Sequence, residues 1–434
     1  MQPFADNRRR LLERLPPGSA ALVFSGREQF RNRDVDYPFR PHSDFWYLTG
    51  FAEPEALLVL IHRADGERHQ HVFVRPRDPK AEIWTGRRLG VEAAPEALGM
   101  DGADEIGSRD EKLGELLKGV ETLWVSFSDA GDWFPQLSPL IGRLKRHVRD
   151  GVSAPVAVRD LDTLLHEMRL IKQPWELAHM REAARISVLG HQAAMRRALT
   201  AATEREVETA LWCAMAEAGA ERPAFNPIVA SGANACVLHY TENNAPIDPA
   251  GLLLVDAGAE RHFYAGDITT TFPARGRFTT PQRELYEVVL AAQWAAIKAV
   301  APGVGWNVPH ETAVRVLTEG LVALGLLQGE VDSLIEQKAY ERFYMHKTGH
   351  WLGLDVHDVG AYRVDGRWRP LEPGMVMTVE PGLYVAPDDD TVPAHWRGIG
   401  IRIEDDVLVS EAGCEVLTEG LPRTPEEIEA FMHG

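Results

Sequence analysis

Two segments that read as buried β-strands each carry an aspartate, and this pairing constrains the fold more than any other feature of the chain. They are Leu252-Leu253-Leu254-Val255-Asp256-Ala257-Gly258 and Ala265-Gly266-Asp267-Ile268-Thr269-Thr270-Thr271-Phe272. Both are apolar and β-branched, and Gly258 to His262 between them reads as a turn. Antiparallel pairing about a midpoint between Arg261 and His262 sets the two carboxylates directly opposite, with Cβ atoms roughly 4.5–5.5 Å apart. Two like charges about 4 Å apart repel by roughly 4 kcal/mol at an effective dielectric of 20. Strands that tolerate this need a positive charge between the acids, so further ligands for a cation are expected elsewhere in the chain.

A chain of 434 residues exceeds what one hydrophobic core serves, so two or three domains are expected. With 45% apolar and 25% charged residues the composition is that of a globular protein and excludes disorder. The net charge of −18 argues against nucleic acid as a partner, which calls for a basic patch. Cys213, Cys236 and Cys414 are scattered, with neither zinc-type spacing nor a disulfide framework, which points to a reducing compartment. The N-terminus lacks an apolar signal core, and the longest apolar run near it, Ala56 to Ile61, is too short to cross a bilayer. The expected location is cytoplasmic, with no membrane partner.

The expected fold class is α+β, an α/β N-terminal domain over residues 1–172 followed by a catalytic domain over 173–434. In the first, Ala20 to Phe24, Ala56 to Ile61 and Thr122 to Ser126 read as strands, and Asp110 to Lys118 and Trp133 to His147 as helices. Helical periodicity runs from Arg159 to Leu170, and Pro174 fits the first turn of a new helix. The second part opens with helices over 174–199 and 203–218, followed by the aspartate hairpin. Helices from Pro281 to Val300 and Val308 to Leu324 come next, broken at Pro302-Gly303-Val304-Gly305. Val376 to Val409 is strand-rich, and a helix follows Thr424-Pro425. Each half of this part thus ends in a strand pair bearing two acids.

The later acids are Glu380, in Val379-Glu380-Pro381-Gly382, and Glu404, in Gly400-Ile401-Arg402-Ile403-Glu404-Asp405. Strand alternation puts Arg402 and Glu404 on one face and the isoleucines on the other, so the acid is either paired, with Arg402 for example, or binds a metal. Between these acids, His346, His350 and His357 fall within twelve residues. His346 and His350 have the i, i+4 spacing of a helical zinc pair, but Lys347 stands where the His-Glu-x-x-His pattern requires glutamate. Gly349 and Gly353 argue for a loop running into a strand, with each histidine pointing its own way.

In order and local motif, Asp256, Asp267, His350, Glu380 and Glu404 resemble the five metal ligands of the pita-bread (creatinase-like) metallopeptidases, which include methionine aminopeptidase, prolidase and aminopeptidase P. Ser231-Gly232 through Asn243, Trp351 to Gly360 and Arg397 to Glu404 are similar to aminopeptidase P in particular. Pro41-His42-Ser43-Asp44-Phe45-Trp46-Tyr47-Leu48-Thr49-Gly50-Phe51 resembles that family's N-terminal domain. The likeness implies an enzyme that removes the residue preceding a penultimate proline, so peptides with proline at position two are the expected partners. Proline's tertiary amide and fixed φ block the extended binding that ordinary peptidases use.

Four carboxylates and one imidazole suit two hard divalent ions such as Mn²⁺ better than the N/S sites zinc prefers. Two such ions activate water, and the resemblance implies a bridging hydroxide as nucleophile. Glu380 is then the general base. The same resemblance implies that Asp267 and a shared acid bridge the metals, with Asp256 on one ion and His350 on the other. His239 and His357 contact substrate and the oxyanion, His346 lines the proline pocket, and Arg402 orients an acid. Tyr384 either joins that network or is plain strand packing. Trp84 and Asp34 are further candidates to reach an active site, a neighbouring copy's included, since dimers or tetramers are common among relatives.

Lys347 departs from the glycine that relatives commonly carry. It brings strain if the position has positive φ, and otherwise a positive charge near the site that alters substrate preference. The alternatives are prolidase, which has the same ligands but takes only dipeptides; a metal-free hydrolase of the creatinase type; and a pita-bread binding module without catalysis. The intact ligand set disfavours the last two.

Overall fold

The strand Ser19–Phe24 is buried along its whole length, and so is Leu57–His62, which pairs with it antiparallel from Ser19 opposite His62 to Phe24 opposite Leu57. In a computed structural model, describing residues 2–128, 130–146, 149 and 152–434, these two strands form the middle of a six-stranded mixed sheet. Its order is Gly102–Glu105, Arg68–Val74, Leu57–His62, Ser19–Phe24, Thr122–Val125, Ala157–Asp160. Strands buried on both faces read as unbroken apolar runs, which is why Ala20 to Phe24 and Leu57 to Ile61 stand out in the sequence. One face is covered through Leu113, Leu117, Leu137, Leu140 and Leu144, packed on Ala20, Leu22, Val59 and Leu123. Helices Arg109–Leu116 and Ala130–Arg146 supply most of these leucines. The expected helix end at His147 lies outside the described residues.

Helical periodicity from Arg159 overreaches by three residues. Ala157–Asp160 is a strand pairing parallel to Thr122–Val125, and the helix is Asp162–Leu170. The Asp160 carboxylate accepts from the amide of Asp162 (3.2 Å), which turns the chain between them. The chain divides into two compact units, Met1–Met168 and Arg169–Gly434.

The second unit runs through the same sequence of elements twice. Helices Pro174–Ala198 and Glu204–Glu217 precede a three-stranded antiparallel sheet of Ile228–Ser231, Leu252–Asp256 and Thr269–Pro273. Helices Thr280–Lys298 and Asn307–Ala323 precede another, of Val376–Val379, Asp405–Ser410 and Gly413–Val416, with a hairpin Gly382–Tyr384/Gly400–Arg402 inserted. Pro174 and Pro281 stand in the first turns of their helices, where the missing N–H costs nothing. A large core runs through the unit, from Ile186 and Leu211 on the first helix pair to Leu285 and Leu317 on the second, and Leu253, Phe272, Met377 and Val407 on the strands. Among the described residues no helix is long and apolar enough to cross a membrane.

The aspartate hairpin differs from expectation in register. Asp256 stands opposite Thr269, and Asp267 lies two residues nearer the turn, so the acids are diagonal neighbours and not directly opposed. The turn is His262-Phe263, with φ of 49° and 65°, closed by the pair Arg261–Tyr264. Ala259–Arg261, expected within the turn, is a strand. Two successive positive-φ residues match the twist of the flanking strands, as in a type I′ turn. Gly258 is indispensable on space alone, because a Cβ there would collide with the carbonyl oxygen of Gly266.

Candidate active site

Four strand ends and one loop deliver the expected ligands to a single cavity. Asp256 ends its strand, Asp267 precedes Thr269–Pro273, Glu380 follows Val376–Val379, and Glu404 joins Gly400–Arg402 to Asp405–Ser410. His350 comes from the loop that bridges into the second sheet at Trp351, paired with Met377. The cavity, about 510 Å³, is lined by all five together with His239, His346, His357, Arg402 and Lys347. Phe225, Ile228, Leu238 and Val356 give it an apolar wall.

Ligand atoms of Asp267, His350 and Glu404 lie within 4.8 Å of one another. His350 Nε2 is 3.5 Å from Asp267 Oδ2 and 3.7 Å from Glu380 Oε1. The other ring nitrogen, Nδ1, donates to the Trp351 carbonyl (3.0 Å), which orients the ring and turns Nε2 toward the acids. Gly349 permits this approach, since a Cβ would strike the Thr378 carbonyl oxygen.

Without a cation these acids are hard to keep ionised. Burial raises the Asp267 carboxyl well above its ordinary range, and Asp256, Asp406 and Glu380 push it further. Burial, then Asp267, does the same to Glu404. Glu380 is also raised, first by burial. Asp256 Oδ1 is buried without a hydrogen-bond partner. An orphaned oxygen within a group of mutually repelling carboxylates is what divalent cations satisfy, so the donor set fits them.

Arg402 meets the acids through Asp256, at Nη2–Oδ2 2.7 Å; the expected alternative partner, Glu404, instead accepts from Thr269 Oγ1 at 2.7 Å. Arg402 Nε donates to Thr269 Oγ1 (3.1 Å) and Nη1 to Tyr384 Oη (2.9 Å). Tyr384 therefore belongs to the polar network; its hydroxyl in turn donates to His346 Nε2 (2.9 Å). His346 Nδ1 donates to the Lys347 carbonyl (2.8 Å). Burial foremost, then the Arg402 charge, pushes the His346 pKa down to about 3, so the ring stays neutral. His357 lies with its ring 4.2 Å from that of His350, edge on, and burial followed by His350 lowers its pKa. Trp84 and Asp34 are both exposed on the first unit.

Three supporting groups went unnoticed in the sequence. Asp406, fully buried, accepts from the amide of Asp267 (3.2 Å). Glu204 is wholly buried and accepts from Ser231 N, Asn234 Nδ2, Tyr240 Oη and Ala245 N, all at 2.8–2.9 Å, gathering the segment that carries His239. Arg169 and Lys172 bind the Asp358 carboxylate at 2.6 and 2.9 Å, one residue beyond His357. Only Asp406 had a sequence signal, as the third acid of Glu404-Asp405-Asp406.

Paired helices and sheets whose strand ends converge acids and one imidazole define a metallopeptidase. Residues 178–411 match metallopeptidase family M24 and residues 4–124 the aminopeptidase P N-terminal domain. The chain is 46% identical to the Xaa-Pro aminopeptidase of Escherichia coli strain K12, over 99% of this chain and 97% of that one. It superposes on the solved aminopeptidase PepP of Pseudomonas aeruginosa with a TM-score of 0.96 at 48% identity, covering 99% of this chain and 97% of that one. An Escherichia coli aminopeptidase P solved with substrate gives 0.96 at 45%, covering 100% and 98%. The chain belongs to the M24 metallopeptidases, with a pita-bread second unit preceded by a first unit of the aminopeptidase P type.

Proposed function

We propose that the chain is an Xaa-Pro aminopeptidase, hydrolysing the bond between an N-terminal residue and a penultimate proline, with residues 173–434 catalytic and 1–172 an accessory domain. The convergence of Asp267, His350 Nε2 and Glu404 within 4.8 Å, in a cavity that also presents three further histidines, carries this reading. Asp256, Asp267, His350, Glu380 and Glu404 would hold two divalent cations, and the oxygen-rich set favours Mn²⁺. When bound, the cations supply Lewis acidity and a water of lowered pKa.

The residues divide the remaining work. Glu380 takes a proton from the attacking water and passes it to the proline nitrogen, which leaves as a secondary amine. His239 and His357 each offer an N–H to the carbonyl oxygen as it gains charge. His346, held neutral and fixed by Tyr384 and Lys347, presents a ring edge to proline. Arg402 holds the Asp256 carboxylate in its orientation. A homo-oligomer, dimer or tetramer, and a cytoplasmic location accord with this reading; the three cysteines are free thiols.

The test is hydrolysis by chelator-stripped protein, with and without Mn²⁺, of an Xaa-Pro dipeptide beside an Xaa-Pro-Yaa tripeptide. Metal-dependent cleavage of the tripeptide is expected. Cleavage of the dipeptide alone would make the enzyme a prolidase, and cleavage of neither would point to a binding module.

A further inference from the structure

Lys347 has an ordinary φ and is not among the positive-φ residues, so its side chain stands there without backbone strain. What remains is its charge. Two lysine or arginine side chains line the cavity, and they are not equivalent. Arg402 is buried and committed to Asp256. Lys347 is exposed and forms no ion pair among the described residues. Its field reaches His310, where, after burial, it is the next cause lowering that ring's pKa to about 4.

The position along the substrate path follows from the neighbouring residue. His346, largely buried, faces the Glu380 carboxylate at 3.8 Å, and Lys347 follows it toward solvent. A peptide whose proline sits at His346 therefore leaves the cavity past Lys347. Arg402 is held by its ion pair with Asp256, so among the described residues Lys347 is the unpaired charge on that wall. An apolar cavity with one such group fixes orientation through it.

We propose that Lys347 is a specificity subsite for a carboxylate immediately beyond the proline, carried either by an acidic third residue or by the chain terminus of a tripeptide. The inference rests on the Xaa-Pro aminopeptidase reading above. An exposed ion pair changes an equilibrium by up to about fivefold, and the effect is screened once the Debye length shrinks at high salt.

The experiment compares kcat/KM of the Mn²⁺-loaded enzyme on four peptides of one Xaa: Xaa-Pro-Asp-amide against Xaa-Pro-Asn-amide, and Xaa-Pro-Ala against Xaa-Pro-Ala-amide. The first ratio reads a side-chain carboxylate and the second a terminal one. In the wild type at least one ratio should exceed about three at low ionic strength and fall toward one in 0.5 M salt. Lys347→Met should bring it to one, Lys347→Glu should invert it, and Lys347→Arg should preserve it. Ratios equal within a factor of about two in wild type and Lys347→Met would overturn the proposal. Wild-type cleavage of none of the four would instead remove the aminopeptidase reading, and this inference with it.

Discussion

The most demanding test of this architecture concerns Asp358. Its carboxylate is 1% exposed and accepts from Arg169 Nη2 at 2.6 Å and from Lys172 Nζ at 2.9 Å, side chains themselves 3% and 1% exposed. Burial raises the Asp358 pKa, but Lys172 and then Arg169 outweigh it and hold the carboxyl below the ordinary range. The two cations differ in their other partners. Arg169 also binds Asp355 Oδ2 at 2.7 Å, whereas the Lys172 ammonium has its ion pair with Asp358. Asp358→Asn therefore leaves a buried ammonium stripped of its ion-pair partner, a loss of about 3–5 kcal/mol. Lys172→Met leaves Asp358 still neutralised by Arg169 and should cost about 1–3 kcal/mol, the range for a buried group losing one partner.

In the double variant neither charge remains, so its cost should fall short of the sum by about 2 kcal/mol, well outside the roughly 0.5 kcal/mol within which independent sites add. Urea midpoints read by hydrolysis report on the second unit, where the site lies. Additivity of the two single costs would refute the reasoning, as would an Asp358→Asn variant as stable as wild type. A catalytic effect should accompany the loss. Asp358 N–H donates to the Trp351 carbonyl at 2.8 Å, closing a loop that presents His350 at one end and His357 at the other. Misplacing either ring by about 1 Å costs on the order of a hundredfold in rate.

His191 governs the acid limb of stability. It is fully buried; its Nε2–H donates to the Ala257 carbonyl (3.0 Å), its Nδ1 accepts from Thr270 Oγ1 (2.8 Å), and burial lowers its pKa to about 4. The unfolded chain binds that proton near pH 6.5, so stability is full above this pH and falls by about 3 kcal/mol as pH drops toward 4. His191→Gln should flatten that limb in denaturation curves, and an unchanged slope would acquit the histidine. Asp267→Asn should relieve repulsion, so the stripped variant should melt above the stripped wild type, yet gain nothing from Mn²⁺ where wild type gains about 2.7 kcal/mol at a hundredfold excess over Kd. A variant still stabilised by the ion would remove Asp267 from the ligand set. His357→Ala should retain its metal by elemental analysis and lose about 10²–10⁴ in kcat; near-normal turnover would make this ring structural. Gly349→Ala should drive the Thr378 strand away from His350 and weaken metal binding in a competition titration, and unaltered affinity would show that the loop gives way instead.

What the sequence disclosed and what it concealed follow from the distance over which each interaction acts. Leu252 to Asp256 and Gly400 to Glu404 announce themselves because alternation and β-branching are local properties, and a resemblance then orders their acids into one ligand set. The hairpin register is hidden in the sequence because His262 and Phe263 carry positive φ without glycine or asparagine to advertise it. Sliding the turn by one residue puts Asp256 opposite Thr269, and this has a chemical consequence. Thr269 thereby stands between Arg402 Nε and Glu404 Oε2, so its hydroxyl receives one hydrogen bond and gives the other. A directly opposed pair of aspartates would have left no side chain for that relay. The partners of Asp358 are 186 and 189 residues away, and Glu204 reads as an ordinary acid in the first turn of a helix, though it gathers four hydrogen bonds from a segment up to 41 residues later. No periodicity or composition encodes such pairings, because each is decided by which element folds against which. The ligands were thus legible one by one, while the groups that aim them became visible only when the two helix-and-sheet halves closed on each other.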